Sequence, residues 1–525
     1  MSEWRLSELS ELLHGRGLLA SEPLPAHGGE ADPVVGAIRF DSRQVTPGDV
    51  FVARPGQHAD GHDHVPAAVD AGAVAVLVER PIPSIQVPEV VVCDARVALG
   101  LAAAWRAGDP SQRMGIVGIT GTDGKTTTAY MVRAILEAAG HRAGLVGTTD
   151  VVVGGASLGN PARASTPEAP ELQAYLAGML AAGDDWAVVE STSHGLAQRR
   201  VAGVAYDVAV LTNITSEHLD FHVTLQAYRV AKQSLFARLA RSEENPEKGW
   251  GKHAIVNADD PQSEAVAAIA DQAGAAVIRY GLAGRLHARA AQALDLAATD
   301  VAQTPSGMGI AVRAAGWSGY VSLRLAGRFN VHNAMAAMGV AAALGHDLDA
   351  AAAGLGLLES VPGRMQRIDE GQPFDVIIDY AHTAEALATV LDELAPADPA
   401  GGLIVVFGSA GERDTAKRAV MGRVAGARCR LVVLTDEDPR GEDRRAILEA
   451  IAQGAQAAGK VRGTDLLVIP DRHEAIRTAM RLARPGDAVL LAGKGHEKTI
   501  EMAGRELAWD EAEQARDALR TLHRG

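Results

Sequence analysis

The chain has 525 residues, of which 47% are hydrophobic and 22% charged, and a formal net charge of −15. That length exceeds what one hydrophobic core serves and implies roughly three domains of about 150 residues each. The acidic balance excludes a general nucleic-acid binder, which needs a basic surface, but not a local cationic pocket.

The start, Met1-Ser2-Glu3-Trp4-Arg5-Leu6, has no basic stretch leading into an apolar one, so no signal peptide is expected. The apolar runs are strand-sized, short of the roughly 20 residues of a membrane span. The two cysteines, Cys93 and Cys429, lie far apart, which argues against a disulfide framework and for a reducing cytoplasm.

The first zone, 1–110, contains short strands at Asp49–Ala53 and Ala73–Val78 and ends in the turn cluster Gly108-Asp109-Pro110-Ser111. The second, 111–358, opens with a strand at Gly115–Ile119 that runs into Thr120-Gly121-Thr122-Asp123-Gly124-Lys125-Thr126-Thr127 and then a helix. Glycines let backbone N–H groups curl around a phosphate, Lys125 adds charge, and Thr126 offers a hydroxyl to Mg²⁺. Ile119 stands where the standard phosphate loop has glycine, so this is a variant. The bland alternative is a glycine-rich turn that binds nothing.

Further along, the buried-type strand Trp186–Val189 delivers Glu190 at its carboxyl end, where open α/β sheets bind ligands. Glu190 can face a metal opposite the phosphate loop, or Glu190–His194 can be a helix-capping cluster. After the strand Val208–Leu211 come His218 and His222, four apart but without the His-Glu-x-x-His order of a zinc protease. Thr224 to Ala240 reads as an amphipathic helix with Leu225, Tyr228, Lys232, Leu235 and Leu239 on one face. Lys232 therefore sits in an apolar stripe. Either it snorkels to solvent, or burial lowers its pKa so that the neutral amine takes up CO₂ as a carbamate, an anionic metal ligand. Ser242 to Lys252 reads as a surface loop.

The third zone, 359–525, has a βα rhythm, with apolar runs at Val376–Ile378, Leu403–Phe407, Leu431–Leu434, Leu466–Ile469 and Ala488–Leu491. Strands apolar throughout are buried on both faces, which predicts a doubly wound, Rossmann-like parallel sheet.

Taken together these motifs resemble the Mur ligase family, over nearly the whole chain. Asp41-Ser42-Arg43 and Gly56-Gln57-His58-Ala59-Asp60-Gly61 resemble its uridine-nucleotide pocket. Ser165 and Thr166, then Ser193, Gln198 and Arg200, resemble its contacts to a muramyl dipeptide. Glu190 and His218 resemble metal and phosphate residues, Lys232 falls on the carbamylated lysine, and Thr126, Glu190 and the Lys232 carbamate would be the metal ligands. The loop Gly121, Thr122, Asp123, Gly124, Lys125, Thr126 and Thr127, with Asn330, Asn333, Arg364 and Asp379, resembles the ATP site. Arg413, the run Glu437-Asp438-Pro439-Arg440, and Gly493 and Glu497 resemble the pocket of the incoming amino acid. Three departures stand out. Asp123 replaces an asparagine, Ala384 replaces a proline, and Glu437-Asp438 replaces the Asp-Asn of members that add diaminopimelate.

The resemblance implies an α/β fold of three domains with a central phosphate-loop ATPase. It implies an ADP-forming, Mg²⁺- and ATP-dependent ligase of peptidoglycan synthesis. Its substrates would be UDP-N-acetylmuramoyl-L-alanyl-D-glutamate and a dibasic amino acid, with no nucleic acid and no membrane span, and a monomer is expected. The catalytic set would be Lys125, Glu190, His218 and Lys232. Asp438 beside Glu437, with Glu497 near, favours the bare ammonium of lysine or ornithine over diaminopimelate, whose second carboxylate meets repulsion of about 1–4 kcal/mol. Against that, Arg440 can pair with a carboxylate, and Asp438 can be a mere turn cap. The alternatives are a folylpolyglutamate synthase-like ligase, which the Asp41-Ser42-Arg43 segment opposes, and a phosphate-loop ATPase or nucleotide-dependent binding protein that forms no amide.

Overall fold

A computed structural model describes residues 4–20, 22, 24, 32–56, 59–83, 85–215, 219–240, 248, 250–283, 294–304, 307–394 and 401–524. The chain forms two compact units, residues 1–300, 311–321 and 332–355 in one, and 301–310, 322–331 and 356–525 in the other.

In the first unit, β1 (Ile38–Arg39), β2 (Val50–Val52), β3 (Ala75–Val78) and β4 (Glu89–Val91) make a parallel sheet in that order. The helices Leu6–Gly15 and Ala95–Arg106 pack Leu6, Leu9, Leu13, Ala98 and Leu99 into its core. Asp94 starts the second of these helices by accepting from the Arg96 and Val97 N–H groups, both at 3.0 Å.

A larger sheet follows. Eight of its eleven strands are β5 (Gly115–Thr120), β6 (Ala143–Val146), β7 (Val151–Val153), β8 (Ala156–Ser157), β9 (Trp186–Glu190), β10 (Val208–Leu211), β11 (His253–Asn257) and β12 (Ala276–Leu282). Their order is β12-β11-β10-β5-β9-β6-β7-β8, and β10, β5 and β9 are parallel neighbours. Every residue of β5, β9 and β10 is buried, as their apolar runs require of strands covered on both faces, and so are the polar ends Thr120 and Glu190. Three ligand-type segments thus leave the carboxyl ends of three adjacent strands: the phosphate loop from β5, Glu190 from β9 and Thr212-Asn213 from β10.

The second unit carries a six-stranded sheet, β13 (Gln366–Arg367), β14 (Asp375–Asp379), β15 (Leu403–Phe407), β16 (Leu431–Leu434), β17 (Leu466–Val468) and β18 (Ala488–Ala492), in the order β13-β14-β18-β15-β16-β17, and a separate hairpin of Thr499–Met502 with Arg505–Ala508. Within the six-stranded sheet only the β13–β14 pair is antiparallel. The two faces hold separate cores. Leu403, Val405 and Phe407 enter one, Ile404 and Val406 the other. That alternation with apolar residues on both sides is the doubly wound arrangement expected for this zone.

The expected surface loop from Ser242 to Lys252 is corrected in part. Residues 241–247 and 249 lie outside the described residues, but Lys248 is buried, its Nζ 2.7 Å from Asp207, and Lys252 meets the same carboxylate at 2.5 Å. Asp207 is itself fully buried and also accepts from the Ile116 N–H at 2.8 Å. An unpaired carboxylate there is strongly unfavourable, so the polar segment is drawn inward to neutralise it. Burial in turn holds the Lys248 ammonium below the usual lysine range.

Candidate functional site

The phosphate loop is shaped by contacts that only small residues permit. Gly124, at φ 81°, precedes the helix Lys125–Ala138, and a Cβ there would run into Asn333 Oδ1. Asn333 also accepts from Thr128 Oγ1 at 3.3 Å. The loop is braced from β10: Thr212 Oγ1 donates to the Asp123 carbonyl at 2.6 Å, and the Asp123 N–H donates to Asn213 at 3.0 Å. The Asp123 side chain is exposed and free of that brace. Thr122 Oγ1 lies 2.8 Å from the Tyr228 hydroxyl and accepts from the Thr215 N–H at 3.0 Å.

Both lysines of the expected catalytic set rest on backbone. Lys125 Nζ donates to the carbonyls of Gly121 and Thr122 at 2.8 and 2.7 Å. Lys232 Nζ reaches the same Gly121 carbonyl at 2.5 Å and lies 4.5 Å from the Tyr228 ring centroid. Its helix, Leu225–Ala237, is started by Thr224, whose Oγ1 accepts from the Ala227 N–H at 3.1 Å. Only 2% of Lys232 is exposed, so it does not snorkel. Glu190, fully buried, accepts from Thr148 N–H at 2.8 Å, Thr148 Oγ1 at 2.9 Å and Thr126 Oγ1 at 3.2 Å. The capping alternative falls to a neighbour: Thr192, not Glu190, caps the short helix Ser193–Ala197. A hydroxyl and a carboxylate side by side are hard oxygen ligands of the kind a phosphate-bound Mg²⁺ takes. Among the described residues no group of three or more His, Cys, Asp or Glu side chains forms a metal site by itself.

In the same unit Thr166 is buried, donating to the Glu190 carbonyl at 2.7 Å, and Ser165 Oγ lies 2.7 Å from Thr148 Oγ1. Arg200 donates to the Thr166 carbonyl at 2.8 Å and to Gln198 at 2.7 and 3.0 Å. Glu168 joins Arg200, at 3.2 Å, to Arg54, at 2.7 Å, just beyond β2. Ser193 is buried in its helix. Ser42 opens a single 3-10 turn capped by Asp41, and the Ala59 carbonyl accepts from the Gly56 N–H at 2.9 Å. Gln57, His58 and His218 lie outside the described residues.

In the second unit, Asp379 ends β14, where it accepts from the N–H groups of Met365 and Ala381, both at 2.9 Å. Burial pushes its carboxyl up, against the opposing pull of Arg364. The Arg364 guanidinium sits 4.9 Å from the Tyr380 ring centroid. Asn330 donates to the Ala326 carbonyl at 2.6 Å. Glu437 follows β16 and Gly493 follows β18; a Cβ on Gly493 would meet Glu437 Oε2 at 2.7 Å. That oxygen is buried with no hydrogen-bond partner, and burial raises the Glu437 carboxyl. Asp438 accepts from Lys494 Nζ at 2.8 Å and the Glu501 N–H at 2.9 Å, while the same ammonium holds Glu497 at 2.6 Å. Arg440 faces Glu501 at 3.2 Å, and Arg413 is exposed.

Comparison with known proteins assigns the family. Family models match in chain order: Mur ligase family, catalytic domain, over 34–104; Mur ligase middle domain over 119–341; and Mur ligase, glutamate ligase domain, over 363–495. A UDP-N-acetylmuramyl-tripeptide synthetase of Roseiflexus sp. (strain RS-1) is 48% identical over 507 residues, covering 95% of this chain and 97% of that protein. The chain belongs to the Mur ligase family. The UDP-N-acetylmuramoyl-L-alanyl-D-glutamate--2,6-diaminopimelate ligase of Geobacillus thermodenitrificans (strain NG80-2) is 39% identical, covering 94% of this chain and 96% of that protein. A solved structure of a ligase with that same name superposes with a TM-score of 0.65 at 30% identity, covering 93% of this chain and 96% of that one. The fold is the expected three-domain Mur ligase architecture, with a central phosphate-loop ATPase-like domain and a C-terminal Rossmann-like one.

For this Mur ligase, the sequence motifs pointed to the strand ends but missed what braces them. Thr148 follows the end of β6, a position that marks it as a ligand-type residue, yet its isolated Thr-Thr dipeptide has no pattern to single it out. Arg54 carries no local signal, and the apolar stripe that holds Tyr228 does not show its hydroxyl's partner, because the partners lie 114 and 106 residues away. Lys494 lies beside Gly493, but nothing local shows its double pairing with Asp438 and Glu497.

Proposed function

We propose that this Mur ligase is a cytoplasmic, ATP- and Mg²⁺-dependent enzyme that extends UDP-N-acetylmuramoyl-L-alanyl-D-glutamate by one dibasic amino acid during peptidoglycan synthesis. Zones 1–110, 111–358 and 359–525 serve the uridine nucleotide, ATP and the amino acid. The observation that carries this reading is the meeting, within one unit, of the Lys125–Thr126–Glu190 cluster and the Thr166–Arg200–Glu168–Arg54 chain. The first suits a polyphosphate, the second an anionic acceptor.

In the first step a γ-carboxylate oxygen of the D-Glu residue attacks the γ-phosphorus of ATP, and ADP leaves. The amine of the amino acid then attacks the acyl carbon; phosphate departs, an amide forms and the ammonium proton is lost. Two anions must approach one another, so positive charge and positioning do the catalytic work. Lys125 exchanges neutral carbonyls for phosphate oxygens. Thr126, Glu190 and a Lys232 carbamate would hold Mg²⁺, which would supply charge neutralisation when bound. Asn330, Asn333, Arg364 and Asp379 are assigned to the nucleotide.

Lysine or ornithine is favoured over diaminopimelate, although not through a bare Asp438. Glu437, Asp438, Glu497 and Glu501 surround the pocket residues, against Lys494 and Arg440. Glu437 keeps one buried oxygen with no hydrogen-bond partner, an acceptor that a distal ammonium fills and a second carboxylate does not. Competing the three amino acids in one reaction, read by mass spectrometry, checks the preference; a dominant diaminopimelate product overturns it. Asp438→Asn keeps the acceptor for Lys494 and is expected to move selectivity toward diaminopimelate. The ligase reading itself is checked by ADP release, which must require acceptor and amine together. Release with neither present indicates an ATPase that forms no amide.

A further inference from the structure

Arg472 is a charged side chain with no part in the proposed chemistry, and it is 97% buried with 3% exposed. It starts the helix Arg472–Leu482, after the cap Asp471. Its guanidinium grips Glu511, the first residue of the helix Glu511–Arg524, with contacts of 2.5, 3.0 and 3.2 Å. Glu511 is 1% exposed and also accepts from Trp509 Nε1 at 2.6 Å. Two further N–H groups of Arg472 go to backbone carbonyls, Asp436 at 3.0 Å and Ala492 at 2.9 Å.

Those carbonyls are not arbitrary. Asp436 is the residue before Glu437-Asp438, and Ala492 is the residue before Gly493-Lys494. They lie at the carboxyl ends of β16 and β18, which flank β15 in the sheet. One planar group therefore spans a strand to tie together the two segments whose side chains meet as Asp438–Lys494 and as Glu437 against Gly493. A guanidinium suits this because its donors have fixed directions; a lysine has one point charge and cannot hold both carbonyls and the carboxylate at set angles. Stability alone is a poor reason to keep such a pair, since apolar replacement of a buried ion pair is often neutral or stabilising.

We infer that Arg472, fixed by Glu511, is a positioning residue for the amino-acid pocket, setting the distance between the Glu437-Asp438 and Gly493-Lys494 segments. This rests on the reading that these segments bind the incoming amino acid. The C-terminal helix is then part of the pocket's frame, not only of its fold. The test uses the full chain in two forms, Arg472→Lys and the charge-balanced double variant Arg472→Met with Glu511→Gln. Each is expected to keep a cooperative thermal transition and the parent's KM for ATP and for the UDP-linked acceptor within twofold. Its KM for the amino acid is expected to rise at least tenfold, with a smaller change in kcat. Arg472→Lys retains the charge opposite Glu511, so it reports even where the double variant does not fold. An amino-acid KM within twofold of the parent in a folded variant overturns the inference. So does an equal rise in all three KM values, which marks a general structural defect. A parent protein that makes no amide with any amino acid instead overturns the functional reading itself.

Discussion

The phosphate loop and the Asp438–Glu497 cluster use lysine in opposite ways. In the first, Lys125 and Lys232 rest on the neutral carbonyls of the phosphate loop. In the second, Lys494 is committed to two carboxylates. A lysine on a carbonyl can be reassigned to a phosphate without stranding a buried charge. A lysine between carboxylates cannot leave, because its partners would face each other at low dielectric. The first arrangement suits a group that changes partner during turnover, the second a group that fixes a pocket.

The comparison is broken first at Lys125. Lys125→Ala is expected to lower kcat by about 100- to 1000-fold, the scale for losing one group that stabilises developing charge. Its thermal midpoint should stay near that of the parent, because no ion pair is lost. Near-normal turnover contradicts the loop assignment. Lys232→Ala should lose activity on a similar scale and regain part of it with short carboxylic acids, if a carbamate is the working form. Full activity of that variant at low CO₂ would falsify the carbamate.

Lys494→Met tests the other half. Its main effect should be on stability, a loss of about 1–3 kcal/mol from leaving polar partners unmatched, tempered by the partial exposure of Asp438 and Glu497. An unchanged denaturation midpoint means the triad is not structural.

The smallest effect concerns Glu437. Burial raises its carboxyl, so the folded chain holds that proton more tightly than the unfolded chain. Its contribution to stability is present at low pH and lost as pH rises through the raised folded value. Glu437→Gln should therefore raise the thermal midpoint at neutral pH, with the gain vanishing in acid, while the amino-acid KM rises. A loss of stability at neutral pH contradicts the buried, unpartnered carboxylate.

Much of this was legible from residues because strands buried on both faces must be apolar throughout. The predicted strands at Val208–Leu211, Leu403–Phe407 and Leu431–Leu434 have the observed ends. The stripe that placed Lys232 among core residues is likewise a property of one helix. What the sequence could not display were pairings between distant segments: Arg54 with Glu168, Lys248 with Asp207, and Arg472 with Glu511. Each is a charge neutralised by a residue whose position depends on the sheet order, and no local pattern encodes that. The Ser242 to Lys252 segment shows the same limit, since its polarity reads as exposure until Asp207 is known to lie beneath it.

The central claim is that ATP activates the acceptor's carboxylate as an acyl phosphate before the amine attacks. Preparing the UDP-linked dipeptide with ¹⁸O in the D-Glu γ-carboxylate and following the released phosphate by mass spectrometry tests it directly. The account predicts one ¹⁸O transferred to phosphate for each amide formed, in the presence of ATP and the dibasic amino acid together. Phosphate that carries no label while amide accumulates would contradict it.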